Sequence, residues 1–152
     1  MEGEIKAHYI DHISIAVKDL DKAVKEYETY FGWKVAGRYT DPDENLKVAY
    51  FQVGPTAYEL MEDLDGTGEV AKFIERRGEG IMLVAFNVDS CADALKQLKE
   101  RGAKMIDEVP RLSKELNRHF GFIHPKSTGG VLAEVIEGKY YNLSQQEKDR
   151  EK

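Results

Sequence analysis

Residues 10–17, IDHISIAV, set one histidine in an alternating run of the kind that forms a half-buried β-strand. On a period of two, Ile13, Ile15 and Val17 share one face, while Ile10, His12, Ser14 and Ala16 share the other. The first face reads as core. The second carries a lone imidazole among small residues, as the wall of a cavity does. Taken alone, His12 reads first as a hydrogen-bonded core or edge histidine, because one imidazole makes no metal site.

A second stretch, residues 81–88, IMLVAFNV, matches the first. A displacement of 71 residues carries Val17 onto Val88 and Ala23 onto Ala94. Gly32 then meets Gly102 and Glu59 meets Glu134, at displacements of 70 and 75. An internal duplication follows. The elements between these anchors repeat in the same order. Asp19 caps a predicted helix with Leu20, Ala23, Val24, Tyr27 and Phe31 on one stripe, closed by Gly32. Strands are predicted at 33–39, 47–53 and 57–62, separated by turn-prone residues 41–45 and Gly54-Pro55. A short helix over 69–77 turns Val70, Phe73 and Ile74 inward, stops at Gly78, and a strand begins again at Gly80. Ser90, with Asp93 three residues on, caps a second long helix with Cys91, Ala94, Leu95 and Leu98 on its stripe and Gly102 at its end. Strands at 103–106, 118–124 and 131–137 complete the pattern. The predicted class is α+β: two tandem βαβββ modules, about 9–66 and 79–138, forming an open, cup-shaped mixed sheet with helices outside. The domain spans 1–143, and residues 144–152 read as a polar, disordered tail.

Composition narrows the function. With 152 residues, 41% hydrophobic and 33% charged, the chain is long enough for one domain with a sizeable core. A formal net charge of -6 argues against nucleic acid or an acidic membrane as partner. There is no apolar run near twenty residues and no leader-like segment, and the lone cysteine, Cys91, cannot form an internal disulfide. The expectation is a cytoplasmic protein. Cys91 lies on an apolar helix stripe and reads as packing rather than as a nucleophile.

The duplication gives His12 company. Its counterpart is Leu83, whereas Glu59 and Glu134 are counterparts of one another. Period two groups Glu134 with Leu132 and Ile136, and Glu59 with Ala57 and Met61. A carboxylate on an apolar face is costly unless it is paired or bound to a cation. One nitrogen and two carboxylates at inward positions suit a divalent ion with open positions; pairing of a glutamate with Arg or Lys is the alternative.

These residues carry a family resemblance. IDHISIAVKDLDKAVKEYETYFGW, GEVAKFIERRGEGI, CADALKQLKERGAKMIDE and above all FIHPKSTGGVLAEVIE resemble methylmalonyl-CoA epimerase, of the vicinal oxygen chelate superfamily, from about Tyr9 to Glu137. The resemblance implies paired βαβββ modules around a cup, a divalent metal (cobalt, manganese, zinc, magnesium or nickel) at its floor, a homodimer, and epimerisation of the carbon between a thioester and a carboxylate. It places metal ligands on His12, Glu59 and Glu134. A fourth falls on Leu83, which cannot coordinate, so the site is either completed by water or substrate, or weak or absent. The acid/base carboxylate falls on Asp43 with Glu44 adjacent, serving one face of the α-carbon while Glu134 serves the other.

Lys126, Ser127 and the Gly129-Gly130 pair read either as a loop approaching an anionic substrate such as CoA, or as a plain turn. Leu83 is counted with Lys126 and Ser127 among residues facing substrate. His119 and His124 read as strand histidines, His8 as solvent-facing, and Tyr9, Tyr50 and Tyr58 as core or pocket wall. Two other functions share the pattern: a glyoxalase-like lyase using the same ligands, and a metal-free binding protein, which the apolar Met82 and Leu83 favour.

Overall fold

The computed structural model describes residues 3–139. The expected tail over 144–152 lies outside the described residues. Eight strands and three helices follow one another as β1 (Ala7–Ala16), α1 (Leu20–Phe31), β2 (Gly37–Asp41), β3 (Leu46–Val53), β4 (Thr56–Asp63), α2 (Glu69–Arg77), β5 (Gly80–Val88), α3 (Cys91–Glu100), β6 (Arg111–Ser113), β7 (Arg118–Ile123) and β8 (Leu132–Ile136). They form one sheet of order β2-β3-β4-β1-β5-β8-β7-β6. The order is twofold-symmetric. β1 and β5 lie antiparallel at the centre, β1 pairs with β4 in parallel, and β5 pairs with β8 in parallel. This is a mixed α+β fold built on one curved, nearly closed sheet, with the two βαβββ halves that the duplication predicts.

The predicted caps form. Asp19 Oδ1 accepts from Lys22 N at 3.1 Å, Gly32 closes α1 at φ 69°, where a side chain would be strained, and Ser90 Oγ accepts from Asp93 N at 3.1 Å. α1 buries Leu20 and Val24 against Ile15, Val17, Ala49, Phe51 and Leu60 on the convex face. α3 buries Cys91, Ala94 and Leu95 against Val88, Ile123, Ala133 and Val135 on the same face.

The third helix differs from the expectation of helices outside. Val70 and Phe73 of α2 join Ala16, Val48, Met61, Leu83, Ala85, Phe120 and Ile136 on the concave side, so α2 stops one end of the cup. Its N-cap, Gly68, has no side chain to offer. Asp63, the last residue of β4, does the capping instead: its carboxylate accepts from Gly68 N at 2.6 Å and from Val70 N and Ala71 N at 3.2 Å.

Two strands depart from their predicted ranges. The segment predicted at 33–39 enters the sheet only at Gly37, because Trp33 stacks on Phe31 at 4.4 Å between ring centroids and Val35 packs with the convex cluster. The strand predicted at 103–106 is reduced to one bridge, Met105 to Ile123. Ile106 N and Asp107 N both donate to Phe122 O, and Asp107 Oδ2 takes the N–H of Phe122 at 3.0 Å. A side chain thus occupies the ladder position that a strand would have used, and the edge strand forms later, at Arg111–Ser113.

Candidate functional site

Alternation on the central strands sets the floor of the cup. Ser14 of β1 is in register with Glu59 of β4 on one side and Leu83 of β5 on the other. His12 stands across from Ala85, and Ala85 in turn from Glu134 of β8. Small residues at Ser14 and Ala85 leave room for the larger groups beside them. The cavity has a volume of about 460 Å³, within the range of small-molecule sites. His12, Glu59 and Glu134 lie at its floor, all but fully buried.

The three side chains converge. His12 Nε2 lies 3.1 Å from Glu134 Oε2 and 3.9 Å from Glu59 Oε1. Glu59 Oε1 accepts from Ser14 Oγ at 2.5 Å, and its Oε2 accepts from Tyr39 OH at 3.2 Å. The other nitrogen of His12, Nδ1, faces Asp11 Oδ1 at 2.8 Å. Burial works against a charged His12, yet the field of Glu59 and Glu134, with the Asp11 contact, holds its pKa well above the ordinary value. Burial pushes the Glu134 carboxyl up, and the opposing pull of His12 does not cancel it.

Asp11 is the hinge of this arrangement, and only 1% of it is exposed. It is bonded to both Nη atoms of Arg118, with Nη1 at 3.0 Å from Oδ1, and its Oδ2 accepts from Asn87 Nδ2 at 3.0 Å. Arg118, equally buried, also donates Nε to Glu137 O at 2.8 Å. Burial alone would raise the Asp11 carboxyl, but bonds from His12 and Arg118 hold it far below the carboxylate range.

The donor chemistry at the floor fits a divalent ion: an imidazole nitrogen and two carboxylates, with the buried Glu134 Oε2 lacking a well-directed hydrogen bond. The spacing is that of side chains bonded to each other, and among the described residues no group of three or more His, Cys, Asp or Glu side chains stands ready-made for a metal. The ligands would have to part to admit one. Leu83, buried on the same wall, contributes no donor.

Of the other residues singled out in the sequence, Glu44 lines the cavity and pairs with Arg111 at 3.2 Å. Asp43 is exposed, faces Lys114 at 3.8 Å and is absent from the cavity wall. Of the two carboxylates, Glu44 is the one on the cavity wall. Lys126 and Ser127 lie on a one-turn 3₁₀ segment, Pro125–Ser127, exposed and away from the cavity lining; Ser127 Oγ accepts from Lys104 N at 2.8 Å. His119 faces Glu137 at 3.1 Å, and His124 Nδ1 accepts from Lys126 N. Sequence reasoning missed Asp11, Tyr39, Asp41, Arg111 and Arg118. Asp11 carried a signal, a carboxylate on the Ile13–Ile15 face; Arg118 likewise stands in the apolar run RHFGFI. Asp41, buried at the cavity wall, has its carboxyl raised by burial and by Glu115, Glu44 and Asp43, although the N–H of Glu44 opposes this.

Known proteins share this architecture. A protein of unknown role from Bacillus subtilis strain 168, YqjC, is 33% identical over 130 residues, 86% of this chain and 92% of its own. The crystal structure of methylmalonyl-CoA epimerase from Mycobacterium tuberculosis superposes with a TM-score of 0.83 at 30% identity, covering 95% of this chain and 97% of that one. A methylmalonyl-CoA epimerase in complex with methylmalonyl-CoA and NH4+ superposes with a TM-score of 0.82 at 25% identity, over 88% and 96%. Residues 11–122 match the Glyoxalase/Bleomycin resistance protein/Dioxygenase superfamily, and the chain belongs to that superfamily.

Proposed function

We propose that the protein is an epimerase that moves the proton α to a CoA thioester. The observation that carries this reading is one cavity lined by two sets of carboxylates: Glu134 and Glu59 with His12 on the floor, and Glu44 on the wall. Inversion at carbon needs a base on one face and an acid on the other. Glu134 and Glu44 fill these roles, Glu134 set by its contact with His12 and Glu44 by Arg111. His12 is oriented through Nδ1 by Asp11, so that Nε2 faces the floor carboxylates. Met61, Met82, Leu83, Phe120 and Phe122 supply the apolar wall that excludes water from the reacting carbon. A divalent ion held by His12, Glu59 and Glu134 would supply Lewis-acid charge for the substrate's oxygens. The likeness to epimerases, one of them holding methylmalonyl-CoA, supports the choice of ligand.

The test is exchange of the α-proton with deuterated water, followed by NMR over a panel of acyl-CoA thioesters. The parent protein should exchange at least one of them, Glu134→Gln should abolish exchange, and Glu44→Gln should prevent inversion. Exchange at the parent rate in Glu134→Gln would overturn the assignment. The second reading, a metal-free binding protein, is favoured by one observation, the buried Leu83 at the ligand position; binding without exchange across the panel would establish it.

A further inference from the structure

The alternation that turns Glu59 into the cup turns Tyr58 the other way, onto the convex face, where it stands across from Phe51 of β3. The last turns of α1 lie over that pair. Tyr27, Tyr30 and Phe31 recur at helical steps of three and four, and the turn at Gly32 brings Trp33 back to join them. Glu26, Tyr27, Tyr30, Phe31, Trp33 and Tyr58 line a hollow of about 360 Å³ outside the cup. Phe51, buried, lies beneath it, its ring centroid 5.8 Å from that of Tyr27 and 5.5 Å from that of Trp33. The rings of Tyr27 and Trp33 are nearly parallel, at 19°, and Tyr58 stands across Trp33 at 69°. The centroids of these three are 5.3 to 6.5 Å from one another, close enough for one cation to stand within the cation–π reach of about 6 Å of all three. Packing accounts for Phe51, Tyr27 and Trp33. It does not account for Phe31 and Tyr30, which are 57% and 76% exposed.

Charge decides what this hollow takes. Among the described residues, Glu26 is the one charged group on its wall. α1 ends beside it with no basic residue in the last turn, so the negative end of the helix dipole has no counter-charge there. Lys22 reaches Glu26 Oε1 at 3.8 Å, but both side chains are exposed and such a surface pair is weak enough for a bound cation to replace. The hydroxyls of Tyr27 and Tyr58 are bonded to each other at 2.6 Å, which leaves ring faces as what the wall offers. Ring faces beside a carboxylate repel an anion and give an ammonium that carries N–H groups few acceptors. A fully alkylated ammonium needs none. We propose that this hollow is a second binding site, for a small quaternary ammonium of the choline type. It is independent of the epimerase reading, since none of its residues lines the cup.

Trp33 is the single tryptophan of the chain, so its fluorescence reports this hollow alone. The experiment titrates the full chain at constant ionic strength with choline, with tetramethylammonium, and with the carbon isostere of choline, in which an uncharged tert-butyl group replaces the trimethylammonium. Trp33 emission and the line width of the ligand methyl signals in NMR are followed together. Both cations should change the emission saturably, and the isostere should bind at least about tenfold more weakly. Phe31→Leu keeps apolar bulk at an exposed position and removes a ring face; Glu26→Gln removes the charge. Each should weaken choline by about 3- to 30-fold, the span of cation–π contacts from exposed to desolvated sites. No saturation by either cation, equal affinity for the isostere, or unchanged affinity in both variants would overturn the proposal. So would sedimentation with phosphatidylcholine vesicles that free choline does not compete away, because the aromatic face would then be a membrane contact.

Discussion

Replacing Asp11 by asparagine keeps the shape of the side chain and removes its charge. Arg118 would then keep its charge at 1% exposure, beside the backbone carbonyls of Glu137 and Gly138 but without the charge that Asp11 supplies. Breaking a buried ion pair on one side costs about 3–5 kcal/mol, and full burial on both sides means no solvent discount applies. For a chain of this size each kcal/mol lowers Tm by about 2–4 °C, so a drop of roughly 6–20 °C is expected. Urea unfolding followed by circular dichroism measures the free energy, and thermal melting the shift. The acid limb gives an independent readout. The folded Asp11 carboxyl lies below its ordinary value of 3.8, so its contribution is present above that pH and is lost as pH falls below it. Asp11→Asn should therefore flatten the parent's loss of stability below about pH 4. The double variant Asp11→Leu with Arg118→Met, which removes both charges, should be less destabilised than Asp11→Asn alone. A loss under about 1 kcal/mol in Asp11→Asn, or a double variant that is worse than the single, would refute the reasoning.

Three further outcomes follow from the same geometry. Leu83→His adds the donor that the floor lacks and should tighten zinc or cobalt binding by at least about tenfold in calorimetry, whereas unchanged affinity would show that the floor does not bind metal. The Cys91 thiol, pushed up to about 12 chiefly by burial and further by Glu137, should resist iodoacetamide at pH 8 in the folded protein and react quickly in urea. Because that pKa is raised, the thiol's contribution to stability is present below its ordinary value of 9.0 and is lost as pH rises toward 12. Asp63→Ala removes the cap of α2 and should cost about 1–2 kcal/mol, with faster amide exchange at Val70 and Ala71, since Asp63 accepts their N–H groups.

The inward placement of His12, Glu59 and Glu134 was readable in the sequence, because strand alternation decides a side chain's face locally and the duplication tells which strands share a centre. The same reasoning located α1, α2 and α3, whose stripes and stop residues are also local properties. It failed at residues 103–106, where the carboxylate of Asp107 takes an N–H that a strand would have needed. It left Asp43 and Glu44 undecided, since neighbours in a turn are told apart only by what the turn packs against. Asp11 and Arg118 stand 107 residues apart, and Arg111 and Glu44 stand 67 apart. Their pairing depends on β7 lying two strands from β5 and on β6 coming round toward the β2–β3 turn. Face is a matter of period two along one strand, and the sequence determined it. Which charged groups meet across a nearly closed sheet depends on its curvature and closure, and only the tertiary structure decided that.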